Sequence, residues 1–208
     1  RRELLIVAAF IFLYYFSPGL ATPLYYHMTD ELKFSQGYIG ILTSIAAAGW
    51  IVGALLYRRY FGALSMRKLL YLSIVFGTAT TLAYLLLSSE ASAAIINFCA
   101  GFSAMLATVA TVTLAADYCP PRAEGFSFAV LMSVINLSNT VGDNIGSYLY
   151  ANVFARSLPP LIMMSAAFTA FALILVPLLH LGDKPQGAPA VSRDHLENKV
   201  EPDATSTR

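Results

Sequence analysis

One short stretch of the chain gathers polar side chains whose types could recognise a solute. Nine successive positions beginning at Asn136 hold three asparagines and one aspartate, with hydroxyl residues between them. In a helix that turns about 100° per residue, Asn139 and Asp143 lie within about 60° of Asn136, and Thr140 and Ser147 share the same arc. Amides donate and accept hydrogen bonds, and a carboxylate can accept two parallel N–H groups. The arc therefore predicts recognition through hydrogen bonds.

The elements that must position these residues are membrane spans. The chain has 208 residues and is 57% hydrophobic and only 12% charged, whereas a typical soluble domain is about 25% charged. A spanning helix needs about 20 mostly apolar residues, and six stretches qualify: about 4–26, 36–57, 68–88, 92–116, 126–151 and 158–181. We therefore predict an all-α membrane protein with six transmembrane helices. A net charge of +1 offers no basic surface for nucleic acid.

Asp143 is the residue of the polar arc that is least favourable inside a membrane. A carboxylate at the bilayer centre costs about 2.5–3.5 kcal/mol, so such groups usually face a cavity or a partner. No basic residue lies at membrane depth in the six stretches. The carboxyl group must then be protonated, hydrated, paired with sequence outside this chain, or paired with the donors of a ligand. We expect the arc to face a cavity; the alternative is that its residues join helices, which we favour for Asn144 at the edge.

The first apolar stretch contains candidate hinge residues. Pro18, Gly19 and Pro23 interrupt backbone hydrogen bonding in the middle of this stretch. Broken helices at membrane depth line cavities or flex as gates, and an ordinary proline kink is the alternative. For Tyr14 and Tyr15, which precede the break, we favour aromatic packing over stacking on a flat ligand.

An internal repeat relates the second stretch to the fifth. An offset of 93 residues aligns Gly49 with Gly142 and Gly53 with Gly146, followed in both copies by Leu-Tyr-x-x-x-Phe. Because this offset equals three spans, the two copies would cross the membrane in opposite directions. The pattern predicts a three-plus-three inverted repeat, which many secondary transporters have. The alternative is two unrelated helices that share small residues for close packing.

The basic residues predict an orientation. Lys33 and Arg156 would lie on one side of the membrane, and the other eleven lysines and arginines on the opposite side. Basic residues in short loops favour the cytoplasm, so we expect both termini there, in the plasma (inner) membrane. Residues 1–181 would form the bundle, and the polar, proline-containing segment 182–208 would be a disordered cytoplasmic tail.

Two loop-containing stretches carry a family resemblance. Residues 55–74, "LLYRRYFGALSMRKLLYLSI", and residues 116–149, "ADYCPPRAEGFSFAVLMSVINLSNTVGDNIGSYL", together resemble the folate–biopterin transporter family of the major facilitator superfamily. The matching loop positions, or the basic pairs beside them, are Arg58, Arg59, Arg67, Lys68, Cys119, Pro120 and Glu124. The matching pattern in the fifth stretch is Phe-Ala-x-Leu-Met-Ser-x-x-Asn, which ends at Asn136. One departure is Tyr57, which precedes the basic pair where the superfamily loop usually has aspartate.

The resemblance implies half of a major facilitator fold and a transport function. It covers all six stretches as a carboxy-terminal half, so we expect an amino-terminal six-span half outside this chain as its partner. It also implies alternating-access transport of folates or reduced pterins. A 2-amino-4-oxo-pteridine presents two adjacent N–H donors that Asp143 could accept, while Asn136 and Asn139 could read ring nitrogens and the carbonyl.

Other functions remain as alternatives or are disfavoured. The same fold could carry a sugar, a drug or another metabolite, and a non-transporting membrane scaffold is a further alternative. An intramembrane hydrolase would need paired acids, a Ser/His pair or metal ligands at membrane depth. Asp143 has no second acid in any stretch, and neither Cys99 nor Cys119 has metal-ligand spacing. We therefore expect no enzyme activity, no metal and no cofactor.

Overall fold

A computed structural model describes residues 2–62, 64–118 and 124–178, and in this part of the chain the secondary structure is helical. Seven α-helices follow in chain order: α1 Arg2–Tyr15, α2 Ala21–Tyr26, α3 Gln36–Leu56, α4 Met66–Ala83, α5 Glu90–Asp117, α6 Glu124–Tyr148 and α7 Leu158–Leu175. Short 3₁₀ turns, Tyr84–Leu86 and Val176–Leu178, extend α4 and α7. Cys119, Pro120, Arg122 and the predicted tail 182–208 lie outside the described residues.

Local sequence explains several helix boundaries. The hydroxyl oxygen of Ser35 accepts a hydrogen bond from the backbone N–H of Tyr38 over 3.1 Å, which caps α3. Ser89 caps α5 in the same way by accepting from the N–H of Ser92 over 3.3 Å. Such caps satisfy N–H groups that a helix start leaves without partners. A Pro-Pro pair stands in the first turn of α7, where the missing N–H groups cost no helix bond.

Two spans related by the internal repeat end in the same conformation. α3 continues into a π-helical turn at Tyr57–Phe61, and α6 continues into another at Leu149–Val153. Both turns include the tyrosine of the repeated Leu-Tyr sequence. A third π-helical turn, His27–Glu31, follows α2. The shared ending is consistent with one structural unit used twice.

Five helices of the described chain are long and apolar enough to cross a membrane. They occupy residues 36–61, 66–86, 90–117, 125–153 and 158–175, with mean hydropathy of at least 1.3 in their most apolar windows. The first apolar stretch is divided instead. Its helix α1 ends at Tyr15, residues 16–20 are not helical, and α2 begins at Ala21. Pro18 and Gly19 therefore lie in the break, whereas Pro23 lies in the first turn of α2, where proline does not interrupt a helix.

The contacts between spans occur in pairs that the internal repeat relates to each other. α3 contacts α5, and α6 contacts α1 and α2, while α4 contacts both α5 and α7. Exchanging the first three spans with the last three converts the α3–α5 contact into the α6–α1 contact. The contacts therefore follow the internal symmetry that the sequence offset predicted.

Buried side chains form two apolar clusters. The first apolar cluster includes Ile11, Leu70, Ile74, Leu114, Leu131 and Ala172. The second apolar cluster includes Leu24, Leu42, Leu87, Ile96, Tyr150 and Ile162. Each long helix that contributes to both clusters does so with its two ends. The clusters therefore lie toward opposite ends of the bundle and leave a middle layer between them.

Candidate functional site

A cleft of about 360 Å³ occupies the middle layer of the bundle. On α5, it is lined by residues between Ala100 and Ala107, which follow Ile96 of the second cluster and precede Leu114 of the first. On α7 it is lined by Thr169, which lies between Ile162 of the second cluster and Ala172 of the first. A membrane-spanning bundle of this kind places such a layer near the bilayer midplane.

Most of the residues that line this cleft carry a hydroxyl group. Five of the six apolar stretches contribute to it, and α4 supplies the largest polar share. Its serine, threonine and asparagine lining includes Ser73, Thr80, Thr81, Ser103, Asn139 and Thr169. None of the lining residues is Asp, Glu, Lys, Arg or His. The cleft therefore offers hydrogen-bonding groups within a partly apolar lining that carries no charge.

Two tyrosines next to the break form the wall of the cleft on the α1 side. The hydroxyl of Tyr14 donates to the hydroxyl oxygen of Ser73 over 3.2 Å, and Tyr14 is buried. The hydroxyl of Tyr15 lies 2.9 Å from that of Thr111. Thr111 donates its own hydrogen to the carbonyl oxygen of Ala107 over 2.8 Å, so Tyr15 is the donor of the pair. Both tyrosines are thereby held by α4 and α5.

The break after α1 packs directly on α6. The amide of Gly19 donates to the carbonyl oxygen of Gly142 over 2.8 Å. An added Cβ on Gly19 would lie 2.6 Å from the Cα of Asp143, and one on Gly146 would lie 2.5 Å from the amide nitrogen of Gly19. Only residues without a Cβ allow the two backbones to approach this closely. Asp143 and the break therefore form one tight contact.

α6 uses a narrow strip of small residues for packing. Ser138, Gly142 and Gly146 are buried, and the Ser138 hydroxyl donates to the carbonyl oxygen of Phe12 over 2.7 Å. Large apolar residues of the same helix remain open, for example Leu137, which is 56% exposed. The packing surface is thus a third side of α6, lying beside both the polar arc and the apolar face.

The polar arc itself is exposed on the bundle surface. Asn136, Asn139, Thr140 and Asp143 are exposed, and Ser147 is half-buried. The Thr140 hydroxyl donates to the carbonyl oxygen of Asn136 in its own helix. Within the described residues, the side chains of Asn136, Asn139 and Asp143 have no hydrogen-bond partner. Three groups that could bind a solute therefore stand open at the depth of the cleft.

The structure brings one predicted recognition residue into the cleft. Asn139 lines the cleft and is also part of the exposed arc, so it connects the two. Asp143, Asn136, Thr140 and Ser147 do not line it. Asn144 donates from its side-chain amide to the carbonyl oxygen of Thr140 over 2.7 Å. That bond lies within α6, and among the described residues the Asn144 side chain makes no hydrogen bond to another helix.

The basic loop residues lie at the end of α3 and the start of α4. Arg58 and Arg59 are exposed in the π-helical turn, with the Arg59 guanidinium 5.9 Å from the ring centre of Tyr60. Arg67 is half-buried and Lys68 exposed in the first turn of α4. Glu124 begins α6. None of these positions lines the cleft.

Sequence reasoning missed the contribution of α4 and α7 to the cleft. These stretches carry no acid or base in their middle portions, and this composition is typical of a peripheral, lipid-facing helix. Met163 and Ile174 of α7 are indeed 62% and 66% exposed. Yet Thr169 of α7 and Thr80 of α4 face the cleft. The only available signal was the row of hydroxyl residues along α4.

Comparisons with known proteins give a consistent family. The family model described as Major Facilitator Superfamily matches residues 7–204. The Folate-biopterin transporter of Synechocystis sp. is 29% identical over 100% of this chain and 44% of its own length. Probable folate-biopterin transporter 4 of Arabidopsis thaliana is 28% identical over 64% of this chain and 29% of its own length. Folate transporter 2 of Plasmodium falciparum is 25% identical over 82% of this chain and 41% of its own length. The chain spans less than half the length of these relatives.

Proposed function

Because the chain belongs to the major facilitator superfamily, we propose that it forms the carboxy-terminal six-span half of a secondary transporter for folate- or pterin-type solutes. Its helices have the major facilitator fold, and it is an integral, multi-pass membrane protein. The names of its relatives support the substrate class. Since the match covers less than half of each relative, an amino-terminal six-span half is the partner that the proposal requires.

One observation carries this proposal: a carboxyl group and two amides stand exposed on α6 without a partner. Exposure of Asp143 to acyl chains would cost about 2.5–3.5 kcal/mol. Exposure of the same groups to a hydrated space avoids that cost. We therefore place the arc of α6 along the water-filled pathway between this bundle and the partner half. Alternating access then moves the two bundles about this pathway.

Asp143 is the central residue of the proposed pathway. Its carboxylate can accept N–H donors of the solute. Asn136, Asn139, Thr140 and Ser147 add uncharged hydrogen-bonding groups along the same side of the helix. This constellation binds and releases a solute without chemical conversion, so the proposal contains no catalytic step and no cofactor.

The break between α1 and α2 is the proposed hinge. The amide of Phe16 still donates to the carbonyl oxygen of Phe12 in α1, but the N–H groups of residues 17–20 make no helical hydrogen bond, and that of Gly19 donates to α6 instead. Such a segment can change its backbone angles without breaking a helix. Pro18 and Gly19 lie in it, and Pro23 lies in the first turn of the helix that would move. Because Gly19 packs on Asp143, a change at the carboxylate would reach the hinge directly.

The proposed orientation follows the basic residues. Arg58, Arg59, Arg67 and Lys68 lie at one end of the bundle, and Lys33 and Arg156 follow helices that end at the other. The excess of basic residues in cytoplasmic loops assigns the first end, and with it both termini, to the cytoplasm. The plasma membrane is the proposed location.

Uptake by the full-length protein tests the proposal. Cells or proteoliposomes that contain it should accumulate labelled folate or biopterin, and Asp143→Asn should lower the initial rate by about tenfold or more, equivalent to about 1.4 kcal/mol. Glu90→Gln is the matched control, because it removes one acid at the exposed start of α5. Pterin uptake unchanged by Asp143→Asn would remove the carboxylate from the pathway. Uptake of a sugar or drug without any pteridine transport would replace the substrate class.

A further inference from the structure

We propose that the hydroxyl-lined cleft in the middle layer holds the uncharged ring of the solute, and that recognition of the ring does not require Asp143. This inference rests on the proposed function, because the solute class comes from it. The cleft is separate from the exposed carboxylate: its lining includes Asn139 but not Asp143. It therefore offers a second, charge-free environment next to the polar arc.

The volume of the cleft limits what can enter. Ligand-binding clefts in proteins usually measure about 300–1,000 Å³, and this one, at about 360 Å³, lies near the lower limit. A bicyclic ring with short substituents suits such a volume, whereas a long substituent would have to extend beyond it. Because the lining carries no cation, an anionic substituent would lose hydration there without gaining a partner.

Several hydroxyl groups of the lining already donate a hydrogen bond to a carbonyl oxygen of their own helix. Ser73 donates to the carbonyl oxygen of Leu70 over 2.9 Å. Thr81 donates to that of Gly77 over 2.9 Å, and Thr169 donates to that of Ser165 over 3.0 Å. A hydroxyl has one hydrogen and two lone pairs. Each of these oxygens can therefore only accept a hydrogen bond from a ligand.

The hydroxyl groups of the two wall tyrosines also donate their hydrogen inside the bundle. Tyr14 donates to Ser73, and Tyr15 donates to Thr111, as described above. Their phenolic oxygens keep free lone pairs, while their hydrogens are held by α4 and α5. The wall near the break thus adds acceptors and not donors. A ligand with several N–H or O–H groups is the chemical complement of this lining.

Two hydroxyls that line the cleft remain uncommitted. Thr80 is 8% exposed and Ser103 is 5% exposed, and neither side chain has a hydrogen-bond partner among the described residues. Their oxygens are open to the cleft, so a ligand or a water molecule can pair with each hydroxyl. Together with Asn139, these groups can donate to a carbonyl oxygen or a ring nitrogen. A 2-amino-4-oxo-pteridine has N–H donors and such acceptors on one uncharged ring.

The proposal assigns different parts of the solute to different regions. The ring enters the cleft, where acceptors outnumber donors and no charge opposes it. A charged substituent stays in the hydrated space along α6, near Asn136 and Thr140. Pairing of the ring with Asp143 is the competing assignment. The two assignments differ in which variant should weaken the binding of a ligand that consists of little more than the ring.

Binding of labelled biopterin to the purified full-length protein tests the cleft. The double variant Thr80→Val/Ser103→Ala removes both uncommitted hydroxyls with little change in volume. Since neither hydroxyl has a partner to lose, the variant should fold at least as stably as the parent. Its dissociation constant for biopterin should rise by about tenfold or more, which two lost hydrogen bonds account for. Thr43→Val is the control, because Thr43 is exposed and its hydroxyl donates within α3.

A second variant narrows the cleft without touching its hydrogen bonds. An added Cβ on Gly77 would lie 3.7 Å from both the Ser103 hydroxyl oxygen and a methyl group of Thr169, which are ordinary contact distances. Gly77→Ala should therefore fold normally and still weaken biopterin binding. A p-aminobenzoylglutamate probe, which lacks the pteridine ring, should not compete with biopterin for the cleft.

The outcomes separate this inference from the proposed function. Biopterin binding that is unchanged by both cleft variants but lost in Asp143→Asn would overturn the cleft and leave the transporter proposal standing. No binding or uptake of any pteridine by the parent protein would overturn the proposed substrate, and the cleft assignment with it. Weakened binding in both cleft variants, with Thr43→Val unchanged, supports the cleft as the ring site.

Discussion

The amide of Gly19 donates a hydrogen bond to the carbonyl oxygen of Gly142 over 2.8 Å, and this bond joins the break of the first span to the middle of α6. Gly142 is the residue immediately before Asp143. A second hydrogen bond, from Ser138 to Phe12, lies nearby on the same strip of α6. The backbone of the proposed hinge is therefore held by the helix that carries the polar arc.

Replacing Gly19 by alanine should loosen this contact. The new Cβ would lie 2.6 Å from the Cα of Asp143, which is too close for any side-chain rearrangement to relieve. The two backbones must separate, and we expect a loss of unfolding free energy of about 1–3 kcal/mol, as for other overpacked sites. Thermal unfolding of the detergent-solubilised protein, read by circular dichroism, measures it.

Gly40→Ala is the matched control for Gly19→Ala. Gly40 lies in α3, and an added Cβ there would meet nothing within 4 Å. Alanine should stabilise that helix by about 0.5–1 kcal/mol. Equal effects of the two substitutions would contradict a specific backbone contact at Gly19.

The sequence predicted the membrane architecture because the signals were long and redundant. Apolar stretches of about 20 residues are readable without knowing their neighbours, and Pro18-Gly19 marked the place where the first stretch breaks. The grouping of the polar residues on one side of α6 also followed from helical geometry. Pro23 was less informative, because a proline in the first turn of a helix and one in its middle look alike in sequence.

The cleft could not be predicted in the same way. Ser73, Thr81 and Thr169 bond to carbonyl oxygens of their own helices, so each would be tolerated on a lipid-facing side as well as in a cavity. Only the packing of α4 against α5 and α7 decides which side they face. The packing strip of α6 was hidden for a related reason: glycine and serine add little to a hydrophobic pattern, although they set the closest approach of two helices.

Ser138→Ala should cause a modest, position-specific loss of stability. Ser138 is fully buried and donates to the carbonyl oxygen of Phe12 in another helix. That oxygen also accepts from the amide of Phe16 over 2.8 Å, so it keeps one partner after the substitution. We therefore expect a loss near the average for interhelical bonds in membranes, about 0.6 kcal/mol, measured by reversible unfolding in mixed micelles.

Ser133→Ala provides the comparison on the same helix. Ser133 is exposed, and its hydroxyl donates to the carbonyl oxygen of Ala129 within α6. Its removal should leave the unfolding free energy unchanged or slightly raised, since alanine favours the helix. A larger loss for Ser133→Ala than for Ser138→Ala would show that the bond to Phe12 does not hold α6 in place.

The two glycines related by the internal repeat should act independently. Gly49 packs against the backbone of Phe98 in α5, where an added Cβ would lie 2.9 Å from the carbonyl carbon, and Gly142 packs against the backbone of Ser17. Each alanine substitution should cost about 1–3 kcal/mol. Because the two interfaces share no residue, the double variant Gly49→Ala/Gly142→Ala should lose the sum of the single losses within about 0.5 kcal/mol.

The pair Gly19→Ala/Gly142→Ala should behave differently, because both residues lie in one interface. Once the first substitution has separated the backbones, the second meets less resistance, so the combined loss should be smaller than the sum. The comparison uses the same unfolding measurement for the three single and the two double variants. Additivity in both pairs would mean that Gly19 and Gly142 do not share a contact, and coupling between Gly49 and Gly142 would mean that the two repeat-related interfaces are not separate.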